Sequence, residues 1–194
     1  MVLRYKTSKT VKSLKETCLK CIADPTGLLS ASKYTKEVKK LGDDMYLVVF
    51  EWRKFGMKKR FEVVIKVEKD KDTIEYKSVE GTKYPFDMKF TLKPKDNDLL
   101  EITIDAEMRA GLMADLFGKK DYAEFIEELV DTGLVNLVSK MSVGHGKGSE
   151  AANCTKCLLY DPIKKYCYYM RREVKDPAKP ICGGKSFISE KLSS

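Results

Sequence analysis

Residues 84–108, YPFDMKFTLKPKDNDLLEITIDAEM, alternate apolar and polar side chains on both sides of a polar break. Tyr84, Phe86, Met88, Phe90 and Leu92 form one apolar line; Leu100, Ile102, Ile104, Ala106 and Met108 form a second. A period of two belongs to a strand with one buried face, and PKDND (94–98) supplies the turn of an antiparallel hairpin. Upstream lie three more strand-like runs, MYLVVFEW (45–52), KKRFEVVIKV (58–67) and DTIEYKSV (72–79). In the middle one Phe61, Val63, Ile65 and Val67 share a face, with Arg60, Glu62 and Lys66 on the other. Consecutive strands joined by short polar turns predict an antiparallel sheet with one wet side.

Such a sheet needs a cover for its apolar face. The longest helical pattern provides it: Tyr122, Phe125, Ile126, Leu129, Val130, Leu134, Leu137 and Val138 recur at helical spacing. Asp121, Glu124, Glu127, Glu128 and Asp131 fall opposite and are expected in solvent. Before the sheet, VLRYKT (2–7) reads as a strand. Leu14, Cys18, Cys21 and Ile22 mark a short helix, on which the Cys18 and Cys21 thiols read as core residues. DPTG (24–27) breaks that helix, and LLSASKYTKEV (28–38) predicts a second short helix leading into a strand. The fold class is α+β, a curved antiparallel sheet gripping a long C-terminal helix.

After residue 150 come Cys154, Cys157, Cys167 and Cys182, spaced C-x2-C-x9-C-x14-C. Four thiolates complete a tetrahedral set for zinc or an iron–sulfur cluster, and the first pair has the spacing that closes on one metal. A segment this short gains from a metal the stability that its core cannot supply. Ordinary buried or disulfide-bonded cysteines are the competing reading. SVGHGKGSE marks a flexible linker, which divides the chain into a domain at 1–142, a linker at 143–151 and a four-cysteine module at 152–194. His145, the only histidine, is expected to be solvated in that linker.

The element order, with ADPTGLLSASKYTKEVKKLGDDMYLVVFEW (23–52) and the terminal helix Tyr122–Lys140, resembles the START-type helix-grip (SRPBCC) superfamily over residues 1–142. Uncharacterised archaeal members similar to the G-type subunit of carbon monoxide dehydrogenase are the nearest in pattern. The resemblance implies an elongated apolar cavity that binds a hydrophobic small molecule. The side chains facing it here would be Phe50, Trp52, Phe61, Tyr76, Tyr84, Phe86, Phe90, Phe125 and Leu129. Aromatic rings serve equally as pocket walls or as filler for a dry core, and both readings stay open. Leu112, Met113, Leu116 and Phe117 suit either a lid or a contact with a protein partner or second copy. The C-terminal spacing, with Tyr160 after the second cysteine and Pro180-Ile181-Cys182-Gly183-Gly184 near the end, resembles the iron–sulfur modules on glycyl-radical enzyme small subunits. That resemblance implies a [4Fe–4S] cluster in preference to Zn2+.

Composition narrows the function. The 194 residues are 43% hydrophobic and 34% charged, enough apolar content for a core. The net charge of +8 comes from lysines interleaved with acids, the pattern of a solvated surface, so nucleic-acid binding is not expected. The sequence has no glutamine and only Asn97, Asn136 and Asn153 as asparagines, which points to a thermophilic source. Thermophiles keep some intracellular disulfides, so pairing of these cysteines stays open. No run approaches a membrane span, and the N-terminus lacks the apolar stretch of a secretory signal, so a cytoplasmic protein is expected. The common hydrolase, nucleotide and metalloprotease motifs are missing, and no catalytic residue can be named. The leading expectation is a ligand-binding protein with a metal module. Its rivals are an iron–sulfur redox or enzyme component and an assembly factor with a zinc knuckle.

Overall fold

The structure, a computed structural model, describes residues 2–13, 15–54, 57–95, 99–109, 118–141, 153–179 and 181–182. The expected lid, the linker with His145, and the Gly183-Gly184 end of the cysteine module lie outside the described residues.

Seven strands form one antiparallel sheet: β1 (Val2–Lys12), β2 (Thr35–Gly42), β3 (Met45–Lys54), β4 (Met57–Lys69), β5 (Thr73–Ser78), β6 (Phe86–Pro94) and β7 (Leu99–Arg109). Their order is β1-β7-β6-β5-β4-β3-β2, so the first strand returns to pair with the last, from Val2↔Arg109 to Lys12↔Leu99. The alternation in 84–108 sets its register, with Phe86 opposite Met108 and Phe90 opposite Ile104. Each of those four side chains is buried on the same face.

Two short helices, α1 (Lys15–Ile22) and α2 (Pro25–Leu29), bridge β1 to β2. Asp24 caps α2 by accepting the Thr26 N–H at 3.0 Å, and Pro25 begins the helix where no N–H is needed. Here the structure corrects the expected second helix at 28–38: α2 ends at Leu29, and Thr35–Gly42 is strand. Almost all of β2 is exposed, so its sequence lacks the alternation that betrays a strand. It is a lysine-rich sheet edge, a common protection against strand pairing with other chains. Cys18 is completely buried in the core and Cys21 packs partly against it.

The sheet's apolar face packs against α3 (Lys119–Met141). Part of the expected wet face of that helix is dry, although Glu124 is exposed and Asp121 and Glu127 are half-buried. Glu128 and Asp131 are 2% and 1% exposed. Glu128 receives the Ser32 hydroxyl and the Lys33 N–H, which fastens the loop after α2. On the far side Asp131 meets Lys9 of β1. Gly133 makes the close approach of α2 possible, since a Cβ there would stand 2.7 Å from the Leu28 carbonyl oxygen.

The tail forms a 3-10 turn (Cys154–Lys156) and three short strands, β8 (Tyr160–Asp161), β9 (Tyr166–Cys167) and β10 (Arg172–Glu173), in the order β10-β9-β8. It lies against β1 and α3. Tyr168 belongs to the main core, and Val138 of α3 belongs to the core around Cys154, Cys157 and Cys167. No helix among the described residues is long and apolar enough to cross a membrane.

Candidate functional site

Phe125, nearly two turns into α3 and fully buried, sits at the centre of a nest of rings drawn from both layers. Phe50 meets it edge-on at 5.3 Å between centroids, and Trp52, Phe86 and Phe61 follow at 5.8, 6.2 and 6.4 Å. Half-buried Tyr84 touches the rim through Phe61 at 6.2 Å. Tyr76 and Phe90 form a separate pair at 5.1 Å, and the Tyr76 hydroxyl donates to the Ile22 carbonyl of α1. Leu129, also predicted, is buried one turn beyond Phe125. The separations are those of packed aromatic pairs.

Three residues of the nest escaped the sequence reading. Tyr34 stacks on Trp52 at 4.3 Å and carries the Lys33 ammonium 4.8 Å above its ring. It lies in the segment expected to be helical, which hid it. Tyr122, stacked beside Phe125 at 6.5 Å, is 1% exposed, and its hydroxyl has no hydrogen-bond partner among the described residues. Burial, then the charges of Glu107, Asp105 and Asp87, pushes its pKa far up, so the phenol remains a proton donor. Its position in the apolar stripe of α3 was the available signal. Thr35 stands opposite Phe50 in the β2–β3 register, and its buried hydroxyl is also unpartnered.

The outer face of the sheet is a lattice of ion pairs. Lys77 bridges Glu68 at 2.6 Å and Glu75 at 3.0 Å, and Arg4 meets Glu107 at 2.8 Å. A cleft of about 580 Å³ opens there where β5 leaves β6, with Asp87 reaching across to the Ser78 N–H and hydroxyl. Glu51 on this face is only 8% exposed, covered by Lys58, Arg53 and Lys36.

In the tail, Cys154, Cys157 and Cys167 are 6%, 7% and 6% exposed and Cys182 is half-buried. Asn153 caps the turn that starts at Cys154, and the Cys157 N–H closes it onto the Cys154 carbonyl. Burial, followed by the charges of Cys157, Cys167 and Cys182, raises the Cys154 pKa. The four sulfurs are therefore electrostatic neighbours. Cys167 is raised by burial and eased by backbone N–H groups, Met170 donating to its Sγ at 3.4 Å. Among the described residues, no three His, Cys, Asp or Glu side chains are grouped closely enough to hold a metal ion as they stand. The donor type suits zinc or iron, while the observed spacing would have to tighten around it.

The tail is fastened to the sheet at its β1 edge. The Thr10 N–H stands 3.0 Å from Asp161 Oδ2 and 2.8 Å from the Tyr168 hydroxyl. That hydroxyl is in turn 2.8 Å from Asp161 Oδ2 and 3.0 Å from the Thr10 carbonyl oxygen. Lys12 donates to the Thr155 carbonyl and Lys164 to that of Ser8. Beside this lies a cleft of about 330 Å³ between β1, α3 and the tail. In it the nearly buried Lys9 ammonium is held by Glu127 and by Asp131, the latter at 2.8 Å. Burial works to raise the Glu127 pKa, but hydrogen bonds from Lys9 and Tyr5 outweigh it and hold the carboxyl low. For Asp131 burial prevails and the pKa rises.

A seven-stranded antiparallel sheet with two short helices after its first strand and a long helix laid across its apolar face is the START-type helix-grip fold. The chain shares it with a START superfamily protein from Mycobacterium smegmatis, at 15% identity over 66% of this chain and 92% of that one, TM-score 0.53. A conserved protein from Geobacillus kaustophilus matches at 15% identity, covering 72% and 95%, TM-score 0.57. A protein from Thermus thermophilus matches at 14%, covering 73% and 100%, TM-score 0.55. At these identities the likeness is one of fold. No family model matches the sequence, and no curated protein matches it.

Proposed function

We propose that this protein binds a hydrophobic small molecule between its sheet and α3. The observation that carries the reading is the nest of rings around Phe125, drawn from strand and helix alike in a START-type fold. A ligand would enter by displacing ring–ring contacts, exchanging one set of apolar surfaces for another. The chemistry needed is binding alone, and no paired acid and base is required of the nest. Trp52 is the only tryptophan and lies against Phe125, so it reports occupancy. Fatty acids, isoprenoids and polyphenols titrated against wild type should give a saturable fluorescence change for at least one class. A flat response to all three refutes the reading.

We further propose that Cys154, Cys157, Cys167 and Cys182 hold one metal centre, with [4Fe–4S] preferred to Zn2+. Support comes from the three cysteines whose charges act on Cys154, the N–H donated to Cys167, and Tyr160, Leu158 and Val174 packed as a dry surround. A bound centre would cross-link the 3-10 turn, β9 and the end of the tail. Anaerobically purified protein should contain about four irons, with visible absorption, or about one zinc per chain. Cys157→Ser should release the metal while Cys18→Ser retains it. Metal-free wild type, or loss from the Cys18 variant alone, contradicts the assignment.

A further inference from the structure

A tyrosine hydroxyl sealed in an apolar nest with nothing to bond is an unstable arrangement in a free protein. Buried hydroxyls are normally paired, because leaving water without a new partner forfeits their hydrogen bonds. Tyr122 breaks that rule at a telling place: its ring is stacked beside Phe125, its hydroxyl is buried, and no described residue offers it an acceptor. The hydroxyl of Thr35, on the inner face opposite Phe50, is a second orphan oxygen bordering the same rings. Away from the nest, Asp131 Oδ1 lacks a hydrogen-bond partner but stands 2.8 Å from the Lys9 ammonium, which neutralises it. The Tyr76 hydroxyl has the Ile22 carbonyl, and the Tyr168 hydroxyl has Asp161 and Thr10. Among the described residues, the two buried hydroxyls without a partner, those of Tyr122 and Thr35, both border the nest.

We propose that Tyr122 is the polar anchor of the ligand site, donating its hydroxyl proton to a carbonyl-type oxygen on an otherwise apolar ligand. The assignment rests on the ligand-binding reading above and adds to it the chemical class of the ligand. A pure hydrocarbon would fill the nest but leave the hydroxyl unpaired. A ketone, quinone or ester oxygen would satisfy it. Tyr122 lies in the first turns of α3, so the bond would also tie ligand occupancy to the start of that helix.

The probes are 1-tetralone and tetralin, two fused-ring compounds that differ in one carbonyl group, titrated against Trp52 fluorescence in wild type and Tyr122→Phe. In the variant the ratio of the two Kd values should move by about tenfold toward tetralin, the worth of one such hydrogen bond. Without ligand, Tyr122→Phe should melt at the wild-type temperature or above it, because it removes an oxygen that has no partner. If both compounds bind and their ratio is the same in wild type and variant, the anchor assignment is wrong while ligand binding stands. If the ligand-free variant melts several degrees lower, the hydroxyl is paired in the free protein and the assignment fails on that ground. If wild type binds neither compound nor any of the wider panel, the ligand-binding reading falls and takes the anchor with it.

Discussion

Tyr168→Phe removes one oxygen atom at the junction of tail and sheet and asks whether the two fold as a unit. The Tyr168 side chain is 1% exposed and Asp161 beside it is fully buried. Asp161 would keep the Ile163 and Lys164 N–H groups on one oxygen, at 2.9 and 3.0 Å, and the Thr10 N–H on the other. It would lose the phenol. A hydrogen bond to a buried charge contributes about 1.5–3 kcal/mol. For a chain of this size each kcal/mol moves the melting temperature by about 2–4 °C, so the variant should melt roughly 3–12 °C lower. Phenylalanine fills the same space, which leaves little packing loss to confuse the result. Calorimetry together with far-ultraviolet circular dichroism would follow the main transition of the sheet. If that transition moves by less than about 1 °C while only a minor early step shifts, the tail is an appendage whose contacts do not stabilise the domain.

Gly133→Ala tests the approach of α2 to α3. Helix propensity alone favours alanine by about 1 kcal/mol, but the new Cβ would press on the Leu28 backbone at a cost of about 1–3 kcal/mol. A lower melting temperature is expected, and a higher one would show that the two helices do not meet closely. Phe125→Ala should cost about 3–5 kcal/mol in chemical denaturation if the nest is close-packed, and should alter ligand preference. A loss below about 1 kcal/mol would mean that the nest is loose. Glu127 has a folded pKa below its ordinary 4.5, so its stabilising contribution is present above that value and is lost as pH falls through the folded pKa. Glu127→Gln should therefore be less stable than wild type at neutral pH, with a smaller further loss on acidification. Parallel stability curves for the two proteins would refute the role given to the Lys9 pair.

The strands β3 to β7 were legible because β5 to β7 alternate with a period of two, β4 nearly does, and β3 is a short apolar run bounded by polar turns. β6 and β7 even give their shared register, since Phe86, Met88 and Phe90 must meet Met108, Ala106 and Ile104 on one face. The edge strand β2 was not legible: with solvent on nearly all of it, nothing selects an alternation. The acids of α3 misled for the opposite reason. Glu128 and Asp131 look like solvent residues in a helical projection, yet their partners Ser32 and Lys9 lie about a hundred positions away in sequence and enter only through the tertiary fold. The ring nest was half visible, five of its members following from strand and helix period. Tyr34 was lost with the misplaced helix, and Tyr122 was seen only as one more apolar position. The four cysteines were conspicuous as a set, but spacing alone gave no hint that the hairpin between them would dock on β1.

That docking has a consequence for how the molecule keeps to itself. The sheet is open at both ends, and its two margins are guarded by different means. The β2 margin relies on charge. The β1 margin is screened by the tail, which takes up the outward N–H and carbonyl of Thr10 and the carbonyl of Ser8. If loss of a metal or oxidation of the thiols loosened that tail, these backbone groups would be bared together as a template for another extended chain. The cysteine module would thus act as a selvedge for the sheet, and damage to it would show first as self-association of an otherwise intact fold.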